Sequence, residues 1–127
     1  MMHRTLAALL VVAAAAPALV PVAYAHGSMK PQHGGLVQMS GETVIELVST
    51  PKGVDVYLSE EDEPVVSANY SAKLVQTAGA VKSEAVLKPA GANKMTAAGF
   101  KSVKGAKLVV ALVDESGMKI FATFQSH

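Results

Sequence analysis

The chain has 127 residues with no cysteine and no tryptophan, and its 11 Lys plus Arg are nearly balanced by 10 Asp plus Glu. The lack of cysteine excludes disulfides, thiolate nucleophiles, zinc ribbons and blue-copper centres, and leaves imidazole, thioether, amine and carboxylate as metal ligands. The lysines are dispersed along the sequence and aromatic residues are few, so no pattern for nucleic-acid binding is present.

The first 25 residues have the organisation of a cleavable signal peptide. A positively charged start precedes an apolar run over residues 6–20, and Ala23-Tyr24-Ala25 supplies the small residues of a cleavage site. Pro17 interrupts the run and Pro21 directly follows it, and the run is shorter than the ~20 apolar residues of a membrane-spanning helix. We therefore expect residues 1–25 to be removed during export, leaving one extracytoplasmic domain that begins at His26.

Residues 26–35 form an amino-terminal segment rich in metal-binding groups. Cleavage after Ala25 would free the α-amino nitrogen of His26 beside its imidazole, and Met29 and His33 follow closely. Imidazole suits copper, zinc and nickel, and the thioether of Met29 shifts the preference towards cuprous ion. The segment therefore predicts a metal site of His26, Met29 and His33, with copper favoured and zinc second. The alternative is a flexible, solvated tail.

After Gly34-Gly35 the sequence predicts an all-β fold over residues 36–127. Segments rich in Val, Ile, Thr and Tyr alternate with turn residues at the spacing of a small antiparallel β-sandwich of immunoglobulin-like or Greek-key type. Thr50-Pro51-Lys52-Gly53 and Asp114-Glu115-Ser116-Gly117 both have the composition of hairpin turns. The predicted strands are 36–40, 43–49, 54–58, 70–77, 82–88, 94–99, 107–113 and 118–125.

The alternation of side chains predicts which of them are buried. In the second strand Ile45 and Leu47 face the core, which puts Glu46 on the wetter face. Residues 108–113 are apolar on both faces, which predicts a central strand covered on both sides. The methionines in or beside strands are expected to fill the core: Met39, Met95 and Met118.

Glu60-Glu61-Asp62-Glu63-Pro64 is the densest acidic run. Its proline cannot take part in a continuous strand ladder, so we expect a solvated loop. The alternative is a calcium site, but the spaced ligands and the turn glycine of a calcium-binding loop are missing.

Four segments together resemble small proteobacterial periplasmic proteins associated with copper or heavy-metal handling: residues 26–35, Glu46-Leu47-Val48, Val56-Tyr57-Leu58 and residues 87–94. The resemblance implies an exported β-rich domain that opens with a His-Gly-Gly motif, and it nominates His26 and His33. Size, export and an amino-terminal histidine are also similar to the copper-resistance C type of periplasmic copper carrier. The sequence after His26 does not follow that second pattern, so it serves as an analogy for chemistry only.

The sequence therefore predicts a periplasmic metal-binding protein that buffers or carries copper, with a metal efflux system as candidate partner. The alternative is a structural or adaptor sandwich module of the cell envelope that binds no metal and docks through a strand edge. An enzyme is not expected, because no nucleophile elbow and no Ser-His-acid signature is present. Neither nucleic-acid binding nor, after processing, insertion into the membrane is expected.

Overall fold

A computed structural model describes residues 29–127 of the chain. The expected signal peptide, its cleavage site and His26 lie outside the described residues. Within residues 29–127, no helix has the length and apolar character needed to cross a membrane. This part of the chain is almost entirely β-structure, with one short 3-10 helix at Ser67–Asn69. The strands are β1 (Leu36–Ser40), β2 (Thr43–Thr50), β3 (Gly53–Glu60), β4 (Glu63–Pro64), β5 (Ser71–Ala78), β6 (Val81–Pro89), β7 (Lys94–Ala98), β8 (Lys107–Val113) and β9 (Lys119–Gln125).

The strands form an antiparallel sheet in the order β1-β2-β3-β7-β6-β5-β8-β9, with the short β4 paired to β3. Strands β5, β6 and β7 form a meander, and β8 returns to lie beside β5, which is the Greek-key arrangement. The two ends of the strand path, β1 and β9, lie against each other. The sheet is therefore nearly closed around a single core, and the predicted antiparallel Greek-key sandwich is confirmed.

A single apolar core fills the space inside the sheet, and alternate residues of the strands supply it. Because the chain has no cysteine, this core rather than disulfides must stabilise the fold. Each fully buried Leu, Ile or Phe contributes roughly 1.5–3 kcal/mol relative to an exposed side chain. The largest fully buried side chains are Phe124, Ile45, Leu47, Leu58, Leu74, Leu87, Met95, Leu108, Leu112, Val54, Val56 and Val110.

Both predicted hairpins are confirmed, because Thr50 pairs with Gly53 between β2 and β3, and residues 114–117 join β8 to β9. The solvated loop predicted for the acidic run is correct only for Glu61 and Asp62, which form an exposed turn between β3 and β4, because Glu60 is the partly buried last residue of β3. The last residues of the run, Glu63–Pro64, make the two-residue strand β4.

The predictions about burial are wrong for the outer side of β8 and for Met118, and Met39 is only partly buried rather than part of the core. Strand β8 lies between β5 and β9 in the sheet, but it is covered on one side only: Leu108, Val110 and Leu112 are buried, whereas the alternate residues are partly exposed. The described residues place no second layer over that outer face. Met118 is 61% exposed because it belongs to the turn before β9 rather than to the strand. Met95 is fully buried, as predicted.

Candidate metal centre

Glu46 is a buried carboxylate on the outer face of the sheet. Ile45 and Leu47 belong to the core, so the predicted alternation of β2 is confirmed. The expected wet environment of Glu46 is wrong, however, because its exposed fraction is only 5%. Residues 32–35 run across the outer face at this point and hydrogen-bond to the carboxylate, which accounts for its burial.

The carboxylate of Glu46 accepts hydrogen bonds from both the backbone and a side chain. The backbone N–H groups of Gln32, His33 and Gly35 donate at 3.0, 2.9 and 2.9 Å, and Nδ1 of His33 lies 2.9 Å from Oε1. Burial by itself raises the pKa of Glu46, but the hydrogen bonds from His33, Gly35 and Gln32 outweigh it and hold the pKa below its ordinary value. Glu46 is therefore ionised at neutral pH and acts only as an acceptor.

The contact with Glu46 fixes the tautomer of neutral His33. Since an ionised carboxylate cannot donate, Nδ1 of His33 carries the proton and Nε2 carries the lone pair. The imidazole also stacks on the ring of Tyr57, with 3.5 Å between the ring centroids and 6° between the planes. Glu46 and Tyr57 lie directly opposite each other in the β2–β3 register. In this cross-strand pair, Glu46 hydrogen-bonds to the edge of the imidazole and Tyr57 stacks on its face.

The ring of His33 borders a cavity of about 190 Å³ on the outer face of β2 and β3. The His33 side chain is 41% exposed, so the imidazole is held in place and yet remains accessible to solutes. The other residues that line the cavity are Lys30, Gln32, Val37, Val44, Glu46, Tyr57, Ser59, Asp62, Pro64 and Asn93.

The three residues of the predicted metal site have different positions. His33 lies at the cavity, held by Glu46 and Tyr57. Met29 lies four residues earlier, is 49% exposed and does not line the cavity. His26 precedes the described residues. Within residues 29–127, no group of three or more His, Asp or Glu side chains is arranged to hold a metal ion. A metal bound to His33 would therefore need further ligands of another kind or from the preceding residues.

Glu46 and Tyr57 are the site residues that the sequence did not single out. Glu46 is the one charged residue in the otherwise apolar or hydroxyl-bearing strand β2, Thr43–Thr50. A lone carboxylate in such a strand is an unusual feature, since burial of an unpaired charge is costly. That signal predicts a partner for Glu46 but cannot identify His33, which lies 13 residues earlier.

Two glycines allow residues 32–35 to approach β2. Gly34 has φ of +73°, in the left-handed region that favours glycine. Gly35 passes so close to β2 that a Cβ atom there would collide with the carbonyl oxygen of Leu47 and lie 2.8 Å from Cγ2 of Val48. Gly34 thus allows the turn and Gly35 allows the close approach to β2. Together they bring His33 within hydrogen-bonding distance of Glu46.

We expect Gly35→Ala to destabilise the fold by about 2 kcal/mol, because the added methyl group collides with backbone rather than with a movable side chain. Gly79→Ala is the matched control, since Gly79 has φ of +59° and open space around it and should lose only about 1 kcal/mol from backbone strain. Urea denaturation of both variants measures the difference. Equal losses would show that the close approach of Gly35 to β2 is not a constraint.

Comparison of the chain with protein families, with curated proteins and with solved structures finds no match. The class of protein is therefore described from its fold and its site alone. It is a small antiparallel Greek-key sandwich that carries a carboxylate-histidine pair on its outer face.

Proposed function

We propose that this chain is a periplasmic metal-binding protein that buffers or carries copper through His33, with His26 and Met29 as further ligands. Zinc or another heavy metal is the alternative cargo. The observation that supports this most strongly is the contact of 2.9 Å between Nδ1 of His33 and Glu46. Histidines that bind metals almost always donate their other ring N–H to a carboxylate, a carbonyl or water, which orients the ring and raises the basicity of the ligating nitrogen.

The preference for copper follows from the ligand types near His33. Nε2 of His33 is an imidazole donor, and the exposed thioether of Met29 is a soft donor only four residues away. If processing occurs after Ala25, the amine and imidazole of His26 add two nitrogens. A ligand set that combines nitrogen donors with a thioether sulfur favours copper, and cuprous ion in particular, over hard cations such as calcium.

Export to the periplasm is proposed from the leader sequence and from the resemblance to periplasmic heavy-metal proteins. A metal efflux system is the proposed recipient of the metal. The activity is binding and release, not catalysis.

The adaptor alternative would dock by strand addition, which needs an open sheet edge. In residues 29–127, the end strands β1 and β9 lie against each other without a backbone ladder between them, so both keep an unpaired edge. Metal binding is therefore what distinguishes the two proposals.

The melting temperature of the exported protein tests the proposal against the adaptor alternative. A ligand that binds only the folded state stabilises it, by about 2.7 kcal/mol when its concentration is 100 times Kd. We expect added copper salts to raise the melting temperature and a chelator to reverse the rise. A melting temperature unchanged by cuprous, cupric and zinc salts would favour an adaptor that binds no metal.

A further inference from the structure

The outer face of β6, β5, β8 and β9 concentrates the positive charge of the molecule. Outward-facing residues alternate with core residues along each strand, and we call the outward surface of these four strands the lysine face. Glu84 is its single acidic residue, within 3.7 and 3.6 Å of Lys73 and Lys82. The lysines of this face are Lys73, Lys82, Lys88, Lys107 and Lys119.

Five lysines and one glutamate give the lysine face a net charge of +4. The rest of residues 29–127 holds five lysines and nine acidic residues, a net charge of −4. The two net charges cancel, so the composition alone does not show that positive and negative charges occupy different surfaces. Cross-strand register is the cause: Thr77 lies between Lys82 of β6 and Lys107 of β8, although those lysines are far apart in the sequence.

Exposed apolar side chains lie among these lysines. Val86 and Phe121 are 61% and 57% exposed. They stand in one row across the four strands, since Val86 pairs with Lys73, Lys73 with Ala111, and Ala111 with Phe121. Lys73 and Ala111 lie between these two apolar side chains, so the lysine face carries separate exposed apolar side chains with lysines beside them.

The amino acids of this face fit a lipid surface better than a protein partner. Protein interfaces are enriched in Arg and in aromatic residues and depleted in Lys, whereas all the cations of this face are Lys and Phe121 is its one aromatic residue. Lys is a compact, flexible point charge that attracts lipid phosphates without requiring a fixed geometry. Apolar side chains bordered by Lys suit the boundary between headgroups and acyl chains.

We propose that the lysine face is a docking surface for a bilayer of anionic phospholipid, on which the folded protein lies without crossing it. The lysines contact the headgroup phosphates, and Phe121 and Val86 reach the acyl boundary. His33 and Glu46 lie over β2 and β3, outside this face. Lipid binding therefore does not depend on the proposed metal function, and either can fail without the other.

Sedimentation with vesicles at low ionic strength tests the proposal. The wild-type protein should bind vesicles containing phosphatidylglycerol and should not bind vesicles of phosphatidylcholine alone. The partition coefficient should fall roughly 100-fold in the triple variant Lys88→Gln/Lys107→Gln/Lys119→Gln. Each lysine near an anionic surface raises the partition coefficient about fivefold. Phe121→Ser, at an exposed position, should lower it roughly tenfold.

The matched control is Lys52→Gln/Lys94→Gln/Lys101→Gln, which removes the same charge from outside the lysine face and should retain binding. All variants share one amino terminus, so an uncleaved leader would affect them equally, and circular dichroism checks that each is folded. Failure of the wild-type protein to bind anionic vesicles overturns the proposal, as does equal weakening by the two triple variants. Self-association abolished by the first triple variant, without vesicle binding, would assign the face to a second copy of the chain instead.

Discussion

His33→Ala is expected to lower the affinity of the exported protein for copper by roughly 100-fold or more. Loss of a residue that only orients a metal ligand typically costs 10- to 100-fold, and His33 is proposed to be the ligand itself. The variant should still fold, because the His33 side chain is 41% exposed and lies outside the core cluster. Titration calorimetry with cuprous ion, supplied from a competing ligand of known affinity, measures the change.

His127→Ala is the matched control for this titration. It removes the other imidazole of residues 29–127, which is exposed at the last residue and does not line the His33 cavity. We expect the control to bind copper with unchanged affinity. If the two variants bound equally well, the imidazole of His33 would not be a ligand.

Glu46→Gln is the second change with a large expected effect, and it acts on both metal affinity and stability. The amide has one carbonyl oxygen and no charge, so it cannot accept all the hydrogen bonds that the carboxylate takes from residues 32–35. The tautomer of His33 is then no longer fixed. We expect a 10- to 100-fold loss of copper affinity and a loss of about 2 kcal/mol in the free energy of unfolding.

The stability effect of Glu46 should also depend on pH, with a definite sign. The pKa of Glu46 is lower in the folded protein than its ordinary value, so its contribution is fully present above that ordinary value. The contribution is lost as the pH falls through the lowered pKa of the folded state. Urea denaturation at a series of acidic pH values should show a decline for the wild-type protein that is shallower in Glu46→Gln.

Glu42→Gln serves as control for both experiments, because Glu42 is an exposed glutamate in the turn between β1 and β2. It should leave copper affinity unchanged and keep the wild-type decline with pH. A Glu46→Gln variant that matched it in both respects would show that the carboxylate does not position His33.

Most of the strands could be predicted from the sequence because their signals are local. Alternation identifies β2 and β3, and Pro51 with Gly53 marks the turn between them. The burial of Glu46 could not be predicted in this way, because the residues that cover it come from the chain before β1. The exposed outer side of β8 was missed for a related reason, since an apolar residue alone does not show whether another layer covers it.

His33 was predicted as a ligand from residue type and from its neighbours, but its two partners were not. Glu46 and Tyr57 meet at His33 only because β2 and β3 pair in one particular register. The lysine face has the same origin. Its members appear dispersed along the chain, and the pairing of four strands brings them together.

The most direct test of the account is heteronuclear magnetic resonance of the His33 ring nitrogens in the exported protein, with and without metal. Without metal, Nδ1 should show the signal of a hydrogen-bonded N–H and Nε2 that of a lone-pair nitrogen. Addition of cuprous or zinc ion should shift Nε2 strongly, while the proton stays on Nδ1, hydrogen-bonded to the carboxylate of Glu46. An Nε2 signal that does not change at saturating concentrations of either ion would contradict the proposed role of His33.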